Sequence, residues 1–305
     1  MQHYIGIEIG GTKLQLVAGD AAGAILSRQR FSVVKADGAA GIQRQIEQGL
    51  VALSGNYNAS GVGVGFGGPV DWKTGRICRS HQIEGWSDFE LGHWLEELAG
   101  VPVFVDNDAN VAALGEARSG QGVGFDPVFY VTLGSGVGGG LVVNGQIYHG
   151  ALPGEAELGH VRLDRNGTTV ESRCSGWAMD AKIRALKTAE PAGLLTRLSS
   201  DTFGGEAKHL PQALQQNDAT ARSLVQETAE DLAFGLSHVV HLFHPAIIVM
   251  GGGLSSLGEA LRHAVETALD PLVMEAFYPR PQIALSVLGE DAVPVGTLNL
   301  AQSRR

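Results

Sequence analysis

The chain has 305 residues, which is enough to bury a large core and to form two domains. Its formal charge of −10 disfavours a nucleic-acid-binding surface, and its two cysteines exclude a disulfide framework. Since the sequence shows neither a secretory signal nor an apolar run of membrane-spanning length, we expect a cytoplasmic protein with no membrane or nucleic-acid partner.

A glycine turn between two strand-like runs is the first predicted feature. A strand pattern resumes at residues 14–18, so the segment predicts a β-hairpin and not the strand-to-helix loop of a Walker site. The turn consists of Gly10, Gly11, Thr12 and Lys13. Its glycines let backbone N–H groups approach an anion, its threonine and lysine add a hydroxyl and a positive charge, and Glu8 can face a magnesium ion. The turn is either a phosphate loop or only a tight turn.

The next predicted elements are a helix over residues 41–53, a strand over 62–66 and a helix over 89–98. The strand continues into residues 63–68, which match the pattern G-x-G-x-x-G. Pro69 and a turn follow, however, where a dinucleotide site requires a helix. The match therefore does not indicate dinucleotide binding.

A polar cluster interrupts the chain after an apolar strand at residues 103–105, and a helix of small residues follows it. This order places Asp108 at the carboxyl end of a strand and near a helix N-terminus. A helix-capping carboxylate is one interpretation. The cluster contains more Asn and Asp residues than one cap needs, and a carboxylate beside a phosphate site is suited to act as the base for a substrate hydroxyl.

A second glycine-rich segment lies between the strand-like runs 128–131 and 141–143. Its loop contains Gly134, Ser135 and Gly136. The segment matches G-x-G-x-x-G, but another strand follows where a dinucleotide site requires a helix. We therefore predict a second phosphate hairpin, and two such hairpins can close on one nucleotide phosphate tail.

The C-terminal part of the chain is predicted to be mostly helical. Its elements are a long amphipathic helix over 224–243, a strand over 246–250, a helix over 257–269, a strand over 282–288 and a last helix over 293–301. Near the end of the long helix, His238, His241 and His244 fit either a metal site or histidines that complement the helix dipole.

Six segments, in this order along the chain, resemble the ROK family of sugar kinases and sugar-responsive repressors, within the actin/hexokinase-like ATPase superfamily. They are Glu-Ile-Gly-Gly-Thr-Lys at 8–13, Gly-Gly-Pro at 67–69, Asn-Asp-Ala-Asn at 107–110, Thr-Leu-Gly-Ser-Gly at 132–136, Glu-Leu-Gly-His at 157–160 and Ile-Val-Met-Gly-Gly-Gly at 248–253. The resemblance implies an α/β, two-lobed actin-like ATPase (ribonuclease H-like) fold. One lobe is expected over residues 1–117 plus 293–305 and the other over 118–292, with the active site in the cleft between them.

The resemblance also implies roles for particular residues. Asp108 is expected to be the catalytic base that takes the proton from a sugar hydroxyl. Residues expected to contact the sugar are Gly67, Gly68, Asn107, Asp108, Glu157, His160 and Glu171. Residues expected to bind ATP are Gly10, Gly11, Thr12, Lys13, Gly134, Ser135, Gly136, Gly251 and Gly252. Glu8 stands where most relatives have Asp, and it is the candidate ligand for Mg²⁺.

Residues 164–176 are the main departure from the family pattern. Relatives that bind zinc have a longer module here with three clustered cysteines. Aligning Cys174-Ser175-Gly176 with the Ala-Ser-Gly of relatives places Glu171 on their sugar-binding glutamate. Because Cys78 is the only other cysteine, one chain cannot assemble a tetrahedral thiolate site, and zinc is not expected.

Two functions fit the resemblance. One is ATP-dependent phosphorylation of a hexose with Mg²⁺ by a homodimer, and the other is a catalytically silent sugar sensor. Regulators of the family carry an N-terminal helix-turn-helix, for which we expect no room here, and they commonly relax the catalytic motifs that this chain keeps. The sugar itself stays open among glucose, fructose, mannose, N-acetylated hexosamines and allose. Trp86 fits either closure over a sugar or packing on its own domain.

Overall fold

The computed structural model describes residues 2–80, 83–154 and 156–302, and it has the predicted α/β alternation of elements. The chain divides into two units. The first comprises Met1–Tyr130, Gly140–Ala156 and Val287–Arg305, and the second comprises Val131–Gly139 and Glu157–Ser286. The predicted lobe boundaries stay a prediction, since compact units defined by packing need not coincide with the lobes of the predicted fold. Within the described ranges, no helix combines the length and apolar character needed to cross a membrane.

The longer strands lie close to their predicted positions, whereas the two-residue strands had no predicted counterpart. The strands are β1 His3–Ile9, β2 Lys13–Asp20, β3 Ile25–Ser32, β4 Ala59–Phe66, β5 Val70–Asp71, β6 Arg76–Ile77, β7 Val103–Asn107, β8 Val128–Leu133, β9 Val137–Val143, β10 Gln146–Ile147, β11 Ile247–Gly251 and β12 Gln282–Leu285. The strand predicted over 282–288 is therefore too long. The ladder ends where Ser286 N donates to Met250 O, and Val287 after it is 63 % exposed.

The helices also follow the predicted order. They are α1 Gly38–Ser54, α2 Leu91–Ala99, α3 Asp108–Ser119, α4 Val170–Cys174, α5 Gly176–Ala189, α6 Leu194–Leu198, α7 Leu210–Gln215, α8 Ala219–Phe243, α9 Glu259–Leu269 and α10 Ala292–Leu300. The helix predicted from residue 257 begins later, because Gly253–Leu257 forms a separate 3₁₀ turn and Gly258, with φ of +64°, breaks the backbone before α9.

The first sheet has the strand order β3-β2-β1-β4-β7. β1 and β2 pair antiparallel, with Ile9 opposite Leu14, which confirms the predicted hairpin around the glycine turn. β1, β4 and β7 are parallel neighbours, so their carboxyl ends lie at one edge of the sheet. In sheets of this kind ligands bind outside the carboxyl ends of the strands, and Asp108 directly follows β7.

Helix α10 packs directly on this sheet and on α3. A Cβ at Gly63 of β4 would lie 2.0 Å from the carbonyl oxygen of Thr297, and a Cβ at Gly296 would lie 1.9 Å from that of Val111. Only glycine permits such close approach of the two backbones. The contact therefore fixes α3, and with it the position of Asp108 at the start of that helix.

A second sheet has the strand order β10-β9-β8-β11-β12, in which β11 and β12 are parallel. In the second unit, α4 is joined to the long helix α8. Arg173 bonds Asp231 at 2.8 Å and also pairs with Glu227, while the Cys174 thiol donates to the carbonyl oxygen of Thr228. These contacts hold α4, which carries Glu171, against a 25-residue helix.

Two sequence features with alternative interpretations have clear positions. Trp86 is fully buried and stacks between Phe66 and Phe89, which favours packing on its own domain over closure on a sugar. At the end of α8, His241 accepts a hydrogen bond from Met274 N and His244 stacks on a phenylalanine. No group of three or more His, Cys, Asp or Glu residues is arranged to bind a metal in the part of the chain that the structure describes.

Candidate active site

At the strand-to-helix junction after β7, helix capping and the candidate base fall on two different residues, although the sequence offered both roles to Asp108. The side-chain oxygen of Asn107 accepts hydrogen bonds from the backbone N–H groups of Ala109 (2.9 Å) and Asn110 (3.3 Å), so Asn107 is the N-cap of α3. The capping interpretation of Asp108 was therefore wrong by one residue. Asp108 occupies the first helical position, where the positive end of the helix dipole favours a carboxylate.

The carboxyl end of β4 meets this junction. Gly67 N donates to the carbonyl oxygen of Ile9 at 2.9 Å, which joins the end of β4 to the end of β1. A Cβ at Gly67 would lie 3.3 Å from Oδ2 of Asp108, so the carboxylate lies against the glycine backbone. Asn107 Nδ2 donates to Gly68 O at 3.3 Å. The structure thus brings together Gly67, Gly68, Asn107 and Asp108, as predicted for a sugar site.

The first glycine hairpin lies at the same sheet edge. Gly10 N donates to Lys13 O at 2.9 Å and closes the turn, while the Thr12 side chain is exposed. The Lys13 ammonium pairs with Oε1 of Glu8 at 3.2 Å, and the Gln15 amide donates to the other oxygen. The Glu8 side chain is only 14 % exposed. This mostly buried carboxylate fits one of the one or two carboxylate ligands that Mg²⁺ commonly takes beside nucleotide phosphates.

The second glycine hairpin has two neighbours within the second unit. Gly176 N, at the start of α5, donates to Gly134 O at 2.7 Å. On the other side, a Cβ at Gly252 would lie 2.6 Å from the backbone of Leu133, so the turn after β11 lies against the end of β8. The segments predicted for the second phosphate loop and the adenosine are therefore adjacent, and Ser135 within the loop is exposed.

Glu171 reaches the second hairpin from α4. Thr169 and Ser172 form a reciprocal capping box that starts the helix. One oxygen of Glu171 then accepts a hydrogen bond from Val137 N at 2.9 Å. The predicted sugar ligand thus also links α4 to the hairpin beside the second phosphate loop.

Glu157 precedes a 3₁₀ turn, Leu158–His160, in the same unit, and His160 is the last residue of that turn. The His160 ring nitrogen Nε2 lies 3.9 Å from the Glu157 carboxylate, and the side chains are 77 % and 54 % exposed. Neither group is buried, so both can hydrogen-bond a polyhydroxylated ligand.

A short hairpin loop occupies the segment in which the resemblance led us to expect no cysteine module. Arg162 and Thr169 form an antiparallel bridge, and the Asp164 carboxylate accepts hydrogen bonds from the Thr168 hydroxyl and from two backbone N–H groups inside the loop. The Thr168 hydroxyl, followed by these backbone donors, lowers the pKa of Asp164. Burial raises the pKa of Cys174 to about 12, and the buried thiol donates to the carbonyl oxygen of Thr228.

Sequence reasoning missed one buried pair beside Asp108. Asp106, at the end of β7, bonds the ring nitrogen Nε2 of His149 at 2.6 Å, and the His149 ring stacks on Trp72 with centroids 4.2 Å apart. The carboxylate is hidden in the same polar cluster that pointed to Asp108. No local pattern marks its partner, because His149 lies 43 residues further along the chain.

Comparisons with known proteins show which family the sequence matches. The sequence matches the ROK family over residues 4–304. It is 33 % identical to a glucokinase of Halalkalibacterium halodurans, over 96 % of this chain and 93 % of that protein. A crystal structure of a ROK family glucokinase from Streptomyces griseus in complex with glucose and AMPPNP is 32 % identical, with a TM-score of 0.85 and coverage of 98 % and 99 %. A putative xylose repressor of Caldicellulosiruptor is 24 % identical, over 98 % of this chain and 78 % of the repressor.

Proposed function

The chain belongs to the ROK family, and we propose that it is a sugar kinase that transfers the γ-phosphoryl group of ATP to a hexose hydroxyl. The observation that carries the proposal is Asp108 on the Gly67 backbone, at the sheet edge that also bears the first glycine hairpin. The glucokinase relatives favour glucose as the sugar, and the AMPPNP bound by the Streptomyces griseus protein favours ATP as the donor.

We assign the role of general base to Asp108. As the sugar hydroxyl attacks the γ-phosphorus in line, the Asp108 carboxylate accepts the hydroxyl proton, and the bond from phosphorus to the bridging oxygen of ADP breaks. Because Asn107 caps α3, the Asp108 carboxylate is not needed for that task. Its half-buried position beside Gly67 suits a base that must react with the sugar hydroxyl and be shielded from competing water.

The remaining polar groups are assigned to binding. Glu157, His160 and Glu171 would hydrogen-bond sugar hydroxyls, with one Asn107 N–H and the Gly67-Gly68 backbone supporting the ring. Both glycine hairpins would bind phosphate through their backbone N–H groups, and Gly251-Gly252 would border the adenosine. Glu8 would hold Mg²⁺, which neutralises phosphate charge when bound.

A second candidate function is sugar sensing without catalysis. The observation that favours it is the match to a putative xylose repressor. Both functions require the sugar-binding groups. Only the kinase requires Asp108 as a base and two phosphate hairpins.

The discriminating experiment measures ADP formation from MgATP with glucose, fructose, mannose, N-acetylated hexosamines and allose, and measures binding of the same sugars by calorimetry. We expect turnover that depends on sugar, with glucose among the substrates. If a sugar binds and none stimulates ATP turnover, the sensor is the better account and the kinase proposal fails.

A further inference from the structure

Asp106 and His149 form a buried hydrogen-bonded pair that the proposed reaction does not use directly. Their side chains are 3 % and 14 % exposed, and Oδ2 of Asp106 lies 2.6 Å from Nε2 of His149. The other oxygen, Oδ1, accepts from Asn107 N at 2.8 Å and from Asn110 Nδ2 at 3.0 Å. The hydrogen bond to Asp106 and the stacking on Trp72 together fix the orientation of the His149 ring.

Hydrogen bonds attach the segment 149–154 at both of its ends. His149 attaches its first residue to Asp106. At the other end, Asn110 Nδ2 donates to Gly154 O at 3.4 Å, and the same amide nitrogen also bonds Asp106. One carboxylate therefore organises both attachments, from a position two residues before Asp108.

One direct neighbour of the pair, Asn107, is assigned to the sugar. Asn107 donates its backbone N–H to Asp106 and its side-chain amide to Gly68 O. Trp72, four residues after Gly68, stacks on His149 with an interplanar angle of 11°. The segment 149–154 is followed along the chain by Glu157, after only two intervening residues. The hydrogen-bonded pair thus joins the strand end that bears Asp108 to the segment that leads to Glu157.

We propose that Asp106 and His149 are positioning residues for the hexose, which they serve by fixing the segment 149–154 beside the Asn107–Asp108 strand end. The inference rests on the proposed sugar kinase function. It requires that loss of the pair weakens sugar recognition and leaves ATP recognition intact. The reason is that the pair joins the end of β7 to the segment 149–154, and that Trp72, which stacks on His149, follows the Gly67-Gly68 turn. A displacement of about 1 Å in such supporting groups commonly costs up to about 100-fold in catalysis.

The kinetic test compares His149→Ala, His149→Gln and the control His93→Ala. His93 is an exposed histidine on α2 that also faces a carboxylate, that of Glu97. We expect His149→Ala to raise the KM for glucose about 10- to 100-fold while the KM for ATP changes less than about twofold. The Gln amide nitrogen can occupy the place of Nε2, so His149→Gln should recover most of the loss, and His93→Ala should match the wild type. An equal rise in both KM values, or no rise for glucose, would overturn the proposal.

A second measurement does not depend on activity. Hydrogen–deuterium exchange of peptides covering residues 148–156 should become faster in His149→Ala and in Asp106→Asn, and should stay near wild-type rates in His149→Gln. Unchanged exchange in both loss variants would refute the fastening, even with full kinase activity. If the wild-type protein phosphorylated no sugar while exchange responded as expected, the proposed function would fail and the fastening would stand.

Discussion

At the scale of single residues, the polar cluster after β7 divides its work among consecutive side chains. Asp106 is buried and bonds His149, Asn107 caps α3, and Asp108 lies on the Gly67 backbone. This division follows from the geometry of a strand that turns into a helix, because successive side chains point in different directions at such a junction. Three consecutive residues thereby supply the partner of His149, the cap of α3 and the proposed base.

A substitution of Glu8 tests whether the first hairpin binds Mg²⁺. Glu8→Gln keeps the size of the side chain but removes the charge that would attract a divalent cation. We expect the Mg²⁺ concentration for half-maximal sugar phosphorylation to rise several-fold, with the KM for glucose little changed. Because Lys13 pairs with Glu8 at 3.2 Å, Lys13→Met is the matched comparison. An unchanged Mg²⁺ requirement in Glu8→Gln would mean that Glu8 serves only as the partner of Lys13.

At the scale of elements, a buried ion pair attaches α5 to the 3₁₀ turn Glu206–His209. Glu206 is fully buried and accepts a hydrogen bond from the Arg184 guanidinium at 2.9 Å. This bond, aided by backbone N–H groups, lowers the pKa of Glu206 from 4.5 to about 2. Since the folded pKa lies below the unfolded one, the stabilisation is fully present above about pH 4.5 and is lost as the pH falls toward 2.

Urea unfolding at pH 7 and at pH 3 measures this contribution. The free energy of unfolding of the wild type should fall more between these pH values than that of Glu206→Gln, which has no carboxylate to protonate. Glu275→Gln, at an exposed position, should behave like the wild type. Equal losses in wild type and Glu206→Gln would show that the ionised Glu206 carboxylate does not stabilise the fold.

The turn between Arg162 and Thr169 is the second element with a testable role. Its short length leaves little chain entropy to lose on ordering, and Asp164 bonds three donors inside the loop. We expect purified, tag-free protein to contain far less than one zinc per chain and to keep its thermal stability in a chelator. Stoichiometric zinc that is lost together with activity would overturn the alignment of Cys174 and the sugar role of Glu171.

At the scale of the whole molecule, the match to ROK glucokinases confirms the predicted actin-like ATPase fold. The hairpins, the Asp108 junction and the last helix could be predicted because each is encoded by a short segment. The Asp106–His149 pair could not, since its members are 43 residues apart and either residue alone has no distinctive pattern. Nor could the burial of Trp86 between two phenylalanines, because stacking depends on how distant segments pack. The division into lobes around the site stays a prediction.

The variant Asp108→Asn tests most directly whether Asp108 is the base of a sugar kinase. Asparagine keeps the size of the side chain but cannot accept the hydroxyl proton, and Asp201→Asn at an exposed position is the control. The measurement is the kcat for sugar-dependent ADP formation, with the Kd of the sugar determined by calorimetry on the same preparations. We predict that kcat falls by about 10²–10⁴ in Asp108→Asn while the Kd of the sugar stays within about threefold of the wild-type value. Near-normal turnover in this variant would contradict the account.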